Sequence, residues 1–148
     1  MRDVTIRLLR PEERVDWEPL WQGYLEFYKS KVAQEVTETT WRRMQNPAEP
    51  MHGLGAFASE RLMGIAHYLF HRSTWTVGDY CYVQDLFIGE AARGRGIGRA
   101  LIEAVCERAK AAGASRVYWL THETNDGARA LYEKVAERSG FIQYRKLF

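Results

Sequence analysis

The sequence predicts a single domain of the α/β (α+β) class, one mixed central sheet flanked by helices. Three observations carry this. The chain has 148 residues, 46% hydrophobic and 27% charged, enough apolar material for one core in one domain spanning 1–148. Its apolar spacing switches repeatedly between alternation and steps of three and four. The resulting order, β-α-α-β-β-β-α-β-α-β, interleaves strands and helices without a low-complexity stretch or an internal repeat.

Each element has a local reason. "VTIRLL" (4–9) alternates as a strand, and Pro11 suits the start of a helix. In "VDWEPLWQGYLEFYKS", Trp17, Leu20, Trp21, Tyr24, Leu25 and Tyr28 fall on one helical face. A short second helix is expected over 37–45 with Thr37 as its cap, followed by a proline-bearing loop over 46–53. "GLGAFAS" and "RLMGIAHYLF" read as two strands around a tight turn at Ser59-Glu60, and "GDYCYVQDLFIG" as a long strand. Residues 97–112 place Ile97, Leu101, Val105 and Ala109 on one helical face, and Gly113 is a natural stop. "SRVYWLTH" is a strand, "NDGARALYEKVAERSG" a helix, and "FIQYRKLF" a last strand.

The bulk properties exclude several functions. A net charge of +2, from 21 basic and 19 acidic residues, lacks the basic excess of a general nucleic-acid binder. No apolar run approaches the ~20 residues of a membrane span, and the first residues contain no apolar stretch of a secretory leader. Cys81 and Cys106 have no metal-ligand spacing and read as reduced core thiols, so a cytoplasmic location is expected. No cluster of His, Cys and Asp suggests a metal.

The chemistry concentrates in "AARGRGIGRAL" (91–101), which joins a strand to a helix. The first amides of a helix have no internal partner, and the helix dipole adds positive potential there. That combination binds anions, phosphates above all. Gly94, Gly96 and Gly98 admit close approach, and Arg93, Arg95 and Arg99 add charge. The spacing fits neither a mononucleotide P-loop, which needs GxxxxGK[ST], nor a dinucleotide GxGxxG. A nucleotide-binding domain is therefore the disfavoured alternative.

"RGRGIG" (93–98) resembles the [Q/R]xxGx[G/A] acyl-CoA motif of the GNAT family of N-acetyltransferases. The preceding "YVQDLFI" resembles that family's central strand, and "NDGARALYEK", through Asn125, Ala128, Leu131 and Tyr132, its later "N..A..LYEK" segment. The element order agrees along nearly the whole chain, nearest to the polyamine and histone-tail acetyltransferase branch. The resemblance implies acetyl-CoA as co-substrate and direct transfer of the acetyl group to a primary amine of a small molecule or a lysine-like side chain. It assigns the coenzyme A pyrophosphate to the amides of residues 94–99, including Ile97. The pantetheine arm falls to the strand edge at Leu86, Phe87 and Ile88, with Asn125 bonding the arm. Tyr132 becomes the acid that protonates the leaving thiolate. A backbone amide of the central strand, Phe87's for instance, becomes the oxyanion donor.

The base is less sharply marked. Relatives that acetylate polyamines often carry Glu-Asp where this chain has Gln84-Asp85, and Gln84 takes no proton. Asp85 is the remaining strand carboxylate. Glu26, on the first helix, is the candidate to line the acceptor pocket, ahead of Glu18 and Glu123. His122 reads as a strand-end residue, and the aromatic set Trp17, Trp21, Tyr24, Phe27 and Tyr28 as core with part of it shaping an amine pocket. Between Tyr132 and "GF" this chain has four residues more than typical members, so a last helix one turn longer is expected. A homodimer is expected at the family level. The alternative function is a non-catalytic acyl-CoA sensor on the same fold.

Overall fold

In the computed structural model, which describes residues 3–148, five strands form one sheet in the order β1-β2-β3-β4-β5. Met1 and Arg2, the start of the segment read as lacking a leader, lie outside the described residues. The strands are β1 (Val4–Leu8), β2 (Met51–Ala58), β3 (Arg61–His71), β4 (Tyr80–Ile88) and β5 (Arg116–Trp119). The first three pairings are antiparallel, and β4 and β5 are parallel. Helices α1 (Arg14–Phe27) and α2 (Gln34–Met44) cover one face, α3 (Ile97–Ala111) covers the other, and α4 (Asp126–Val135) follows β5.

The faces follow from the sequence pattern. Trp17, Trp21 and Leu25 of α1 join Trp41 of α2 and Leu9, Phe57 and Ile65 in one buried cluster. Ile97, Leu101, Val105 and Ala109 of α3 pack with Leu54, Ala56, Ala66, Tyr68, Cys81 and Val83 in the other. Ser59 and Glu60 both take positive φ, the geometry of a tight hairpin turn between β2 and β3.

Three expectations need correction. The second helix begins at Gln34, not at residue 37. Thr37 is fully buried inside it, and its hydroxyl accepts the Trp21 indole N–H at 3.0 Å, so it bridges helices and caps nothing. The last helix does not run a turn longer: it stops at Val135, with Ala136 already extended. The residues that would prolong it, Glu137, Arg138, Ser139 and Gly140, offer no apolar group to dock, and tertiary packing is what sustains most short helices. "FIQYRKLF" is not a strand either, although its composition suits one. A strand exists only through a partner, and residues 137–148 donate no backbone hydrogen bond to the sheet.

Candidate active site

The site grows from one irregularity in β4. Tyr68 of β3 pairs with Val83 while its neighbour His67 pairs with Asp85, so Gln84 is an extra residue with no partner. This is a β-bulge. Simple alternation would place Val83 and Asp85 on the same face. The bulge separates them. Val83 lies in the α3 cluster, whereas Asp85 meets His67 on the α1 side and Phe87 packs there too. Leu86 and Ile88 return to the α3 side.

Pairing between β4 and β5 ends at Val83↔Trp119, one residue before the bulge. The edge of β4 from Leu86 to Ile88 is therefore bare. Its register fixes which groups point outward. Gly89 N–H donates to Met63 O at 2.8 Å, continuing the Gly64↔Ile88 pairing by one step. Two-residue alternation then aims the Phe87 amide at β3 and those of Leu86 and Ile88 at the bare edge. The candidate oxyanion donor on this edge is accordingly Leu86, not Phe87.

Where β4 and β5 part, a cleft of about 340 Å³ of empty space, partly open to solvent, is lined by Tyr24, Tyr28, Gln84, Leu86, Trp119 and Tyr132, among others. The Tyr132 ring packs edge-on against Trp119, centroids 5.4 Å apart. Burial pushes its phenol above the usual range, so it stays protonated near neutral pH. Tyr24 is pushed up as well, first by burial and then by the nearby Asp85 charge.

The glycine loop has the geometry of an anion cradle. Gly94 and Gly96 both sit at φ 77°, in the left-handed region, and Gly96 is the residue before the first turn of α3. Ala100 N–H donates to Gly96 O, but the amides of Arg95 to Arg99 donate to no backbone carbonyl outside the helix among the described residues. Within the helix they precede the first possible acceptor. A side chain at Gly94 would point into open space. The arginines divide. Arg93 Nε donates to Ile88 O at 3.2 Å, Arg99 pairs with Glu103 at 2.9 Å, and Arg95 makes no ion pair among the described residues. Ile97 is buried in the core, so only its backbone faces the loop.

Asn125 immediately precedes α4, half-buried, and its side chain caps nothing. Thr121 Oγ1 is buried without a partner among the described residues, one residue beyond the cleft-lining Leu120. Spare hydrogen-bonding capacity therefore gathers where a polar arm would lie. Glu26 is exposed, two positions past Tyr24 on α1 and so roughly on the opposite side of the helix. The structure does not bring it to the cleft. Trp17 and Trp21 are core, Tyr24 and Tyr28 line the cleft, and Phe27 is exposed. His122 bonds locally to Thr124. Burial pushes the Cys81 thiol up to about 12, so it carries essentially no thiolate at neutral pH.

Sequence reasoning missed His67. Its ring lies between Trp17 Nε1 (3.0 Å to Nε2) and Asp85 Oδ2 (2.8 Å from Nδ1), 2% exposed. The residue alternates with Ile65 on β3, which marks a core position. Nothing in the sequence marks its two partners, which come from α1 and from beyond the bulge.

A profile of the acetyltransferase (GNAT) family matches residues 8–136. The chain is 37% identical over 145 residues to the D-amino-acid N-acetyltransferase HPA3 of Saccharomyces cerevisiae, covering 97% of this chain and 90% of that protein. It is 30% identical over 136 residues to the thialysine N-epsilon-acetyltransferase of Caenorhabditis elegans, covering 91% and 83%. Its fold superposes on AAC(6')-Iy, solved in complex with the bisubstrate analog CoA-S-monomethyl-acetylneamine, with a TM-score of 0.83 at 17% identity over 98% of each chain.

Proposed function

The chain belongs to the acetyltransferase (GNAT) family and is an acetyl-CoA-dependent N-acetyltransferase, and we propose that it acetylates the primary amine of a small, amino-acid-like molecule by direct transfer. The acceptor class rests on the relatives named for D-amino acids and thialysine. The observation that carries the site assignment is the continuity of three features: free amides at the head of α3, the bare edge of β4, and Tyr132 across the cleft. We take the whole of 1–148 as one such domain.

In this reading the amides of Gly94 to Arg99 hold the pyrophosphate, with Arg95 adding charge. The outward groups of Leu86 and Ile88 pair with the pantetheine amides as a neighbouring strand would. Asn125 bonds the arm near α4. The amine nitrogen attacks the thioester carbon and the C–S bond breaks. The Leu86 amide stabilises the oxyanion formed between those events. Tyr132 gives its phenolic proton to the departing sulfur. Asp85 supplies the negative charge that draws an ammonium group in, and takes up the proton that the amine must lose. Glu26 has no part in it. No covalent intermediate is required, and the protonated, fully buried Cys81 is unsuited to form one.

Two coarser features complete the proposal. The chain acts as a homodimer, supported by the apolar C-terminal segment: Phe141, Ile142, Tyr144, Leu147 and Phe148 are all at least 74% exposed. It works in the cytoplasm, supported by its two unpaired cysteines. The test of the activity is thiol release from acetyl-CoA with a panel of amines, including both enantiomers of amino acids, lysine analogues, polyamines and aminoglycosides. Release confined to amino-acid-like amines is expected. Release only with polyamines or aminoglycosides overturns the acceptor class.

A further inference from the structure

We propose that His67 is a positioning residue of this acetyltransferase, locked as a neutral ring between Trp17 and Asp85 so that the Asp85 carboxylate keeps one fixed orientation beside the acceptor cleft. The inference rests on the reading of Asp85 given above.

The donor chemistry leaves one arrangement. An indole N–H only donates. Trp17 Nε1 lies 3.0 Å from His67 Nε2, so Nε2 must present its lone pair. The single proton of the neutral ring is then on Nδ1, and it is donated to Asp85 Oδ2 at 2.8 Å. Protonating the ring would put a second N–H at Nε2, facing the Trp17 N–H. The contact that satisfies the indole therefore blocks His67 from acting as a base. The ring resembles the orienting half of a catalytic dyad, with its working nitrogen stoppered.

The lock is placed where it governs the site. Trp17 comes from α1, His67 from β3, and Asp85 from β4 immediately beyond the bulge. All three are buried. Asp85 spends Oδ2 on His67, and Tyr24, which lines the cleft, stands close enough to Asp85 to feel its charge. From Trp17 the α1 aromatics continue in near-parallel steps, Trp17 to Trp21 at 6.0 Å and Trp21 to Tyr24 at 5.6 Å. Stacked rings from Tyr24 to Trp17, and hydrogen bonds from Trp17 through His67 to Asp85, thus tie the cleft side of α1 to the strand that carries the carboxylate. Asp85 is the charged group bonded to the ring; Tyr82 on β4 and Tyr24 on α1 are close enough to Asp85 to feel its charge, and Arg14 lies over the Trp17 ring.

Two measurements on the full chain test this. The first is ¹⁵N NMR of histidine-labelled protein, which needs no turnover and so stands apart from the acceptor assignment. A His67 ring protonated at Nδ1, with Nε2 unprotonated, is expected. A ring protonated at Nε2 overturns the lock. The second compares His67→Gln with His67→Leu in steady-state kinetics. Glutamine keeps one acceptor and one donor, so it should hold kcat within a fewfold with the wild-type pH profile. Leucine keeps neither, and should lower kcat/KM for the amine ~10²-fold, the scale of a misplaced reacting group, while the KM for acetyl-CoA moves less than about threefold. Loss of activity in His67→Gln together with loss of a limb of the pH profile makes His67 a base and refutes the proposal. Unchanged amine kinetics in His67→Leu refutes it equally.

Discussion

Replacing Tyr132 with phenylalanine removes one oxygen from the cleft and nothing else. The ring stays against Trp119, and no hydrogen bond among the described residues loses a partner, because the hydroxyl makes none. The expected change in Tm is therefore below about 2 °C, the shift that roughly half a kcal/mol produces in a domain of this size. Catalysis should respond differently. A thiol leaves with a pKa of ~8.5, a phenol starts from ~10, and burial raises this phenol further. Complete proton transfer before C–S cleavage is uphill by at least ~2 kcal/mol at 1.36 kcal/mol per unit. The hydroxyl thus works chiefly by a hydrogen bond that strengthens as sulfur gains charge. That places its contribution at the lower end of general acid catalysis, ~10²-fold in kcat, or about 2.7 kcal/mol. Thiol release under saturating acetyl-CoA reads kcat, and calorimetry with coenzyme A reads the ground state, which should change less than about threefold. A kcat within threefold of wild type refutes the acid assignment. A loss of coenzyme A affinity that matches the loss of rate refutes it too, since the hydroxyl would then be a binding group.

The other perturbations probe the loop, the N-terminal turn and the tail. Gly96→Asp adds bulk at a left-handed position and a negative charge beside the pyrophosphate cradle, and should weaken coenzyme A binding at least ~10²-fold by calorimetry, since both backbone strain and charge repulsion oppose it. Glu13 accepts both ends of the Arg7 guanidinium, at 2.9 and 2.6 Å, and the Arg10 amide, which together hold its carboxyl below the usual range. A lowered folded pKa means stability that is complete above the unfolded value near ~4.3 and is lost as pH falls through the folded one. Glu13→Gln should therefore lower Tm at pH 7 by about 4–8 °C, for roughly 2 kcal/mol of charge-assisted bonding. The gap should narrow as pH falls below about 4.3 and vanish only below the lowered folded value. Ending the chain after Gly140 removes five exposed apolar side chains that make no backbone bond to the sheet. Sedimentation should show the full chain as a dimer and the shortened one as a monomer.

What was legible in the sequence follows from how local each signal is. The α1 and α3 faces rest on contiguous periodicity, and the glycine loop announces itself because a strand, three glycines and a helix succeed one another within a few residues. The expectations for Tyr132 and Asn125 rest on a motif confined to one short helix and the residue before it. The failures all involve partners distant in sequence. Thr37 looked like a cap because its neighbours gave no hint that Trp21 would reach it from another helix. "FIQYRKLF" has the composition of a strand, and composition does not supply an edge to pair with. Glu26 looked available on α1, but its angular distance from Tyr24 decides its fate, and that distance acquires meaning only once Tyr24 is known to face β4. His67 was passed over because its role exists only where three elements meet.

The bulge at Gln84 was equally invisible, and it offers a sharp separation of fold from function. With Gln84 deleted, Val83 remains on the α3 side and Asp85 follows it directly on the α1 side, as regular alternation requires. Leu86, Phe87 and Ile88 keep their faces, Tyr68↔Val83 and His67↔Asp85 keep their partners, and every β4–β5 pair lies before the deletion. No core contact needs the extra residue. The departure of β4 from β5 does need it, because the bulge bends the strand at the point where their pairing stops. A regular β4 would let pairing run on past Trp119, toward Leu120 and Thr121, and so close the cleft and cover the outward groups of Leu86 and Ile88. The deletion variant should accordingly keep Tm within a few degrees of wild type, while acetyl transfer falls ~10²-fold or more through loss of positioning. Gln84→Ala, which retains the bulge, should keep both. A deletion variant with wild-type turnover would show that the bare edge is not where the pantetheine arm lies. A collapse of Tm would show that the bulge serves the fold itself.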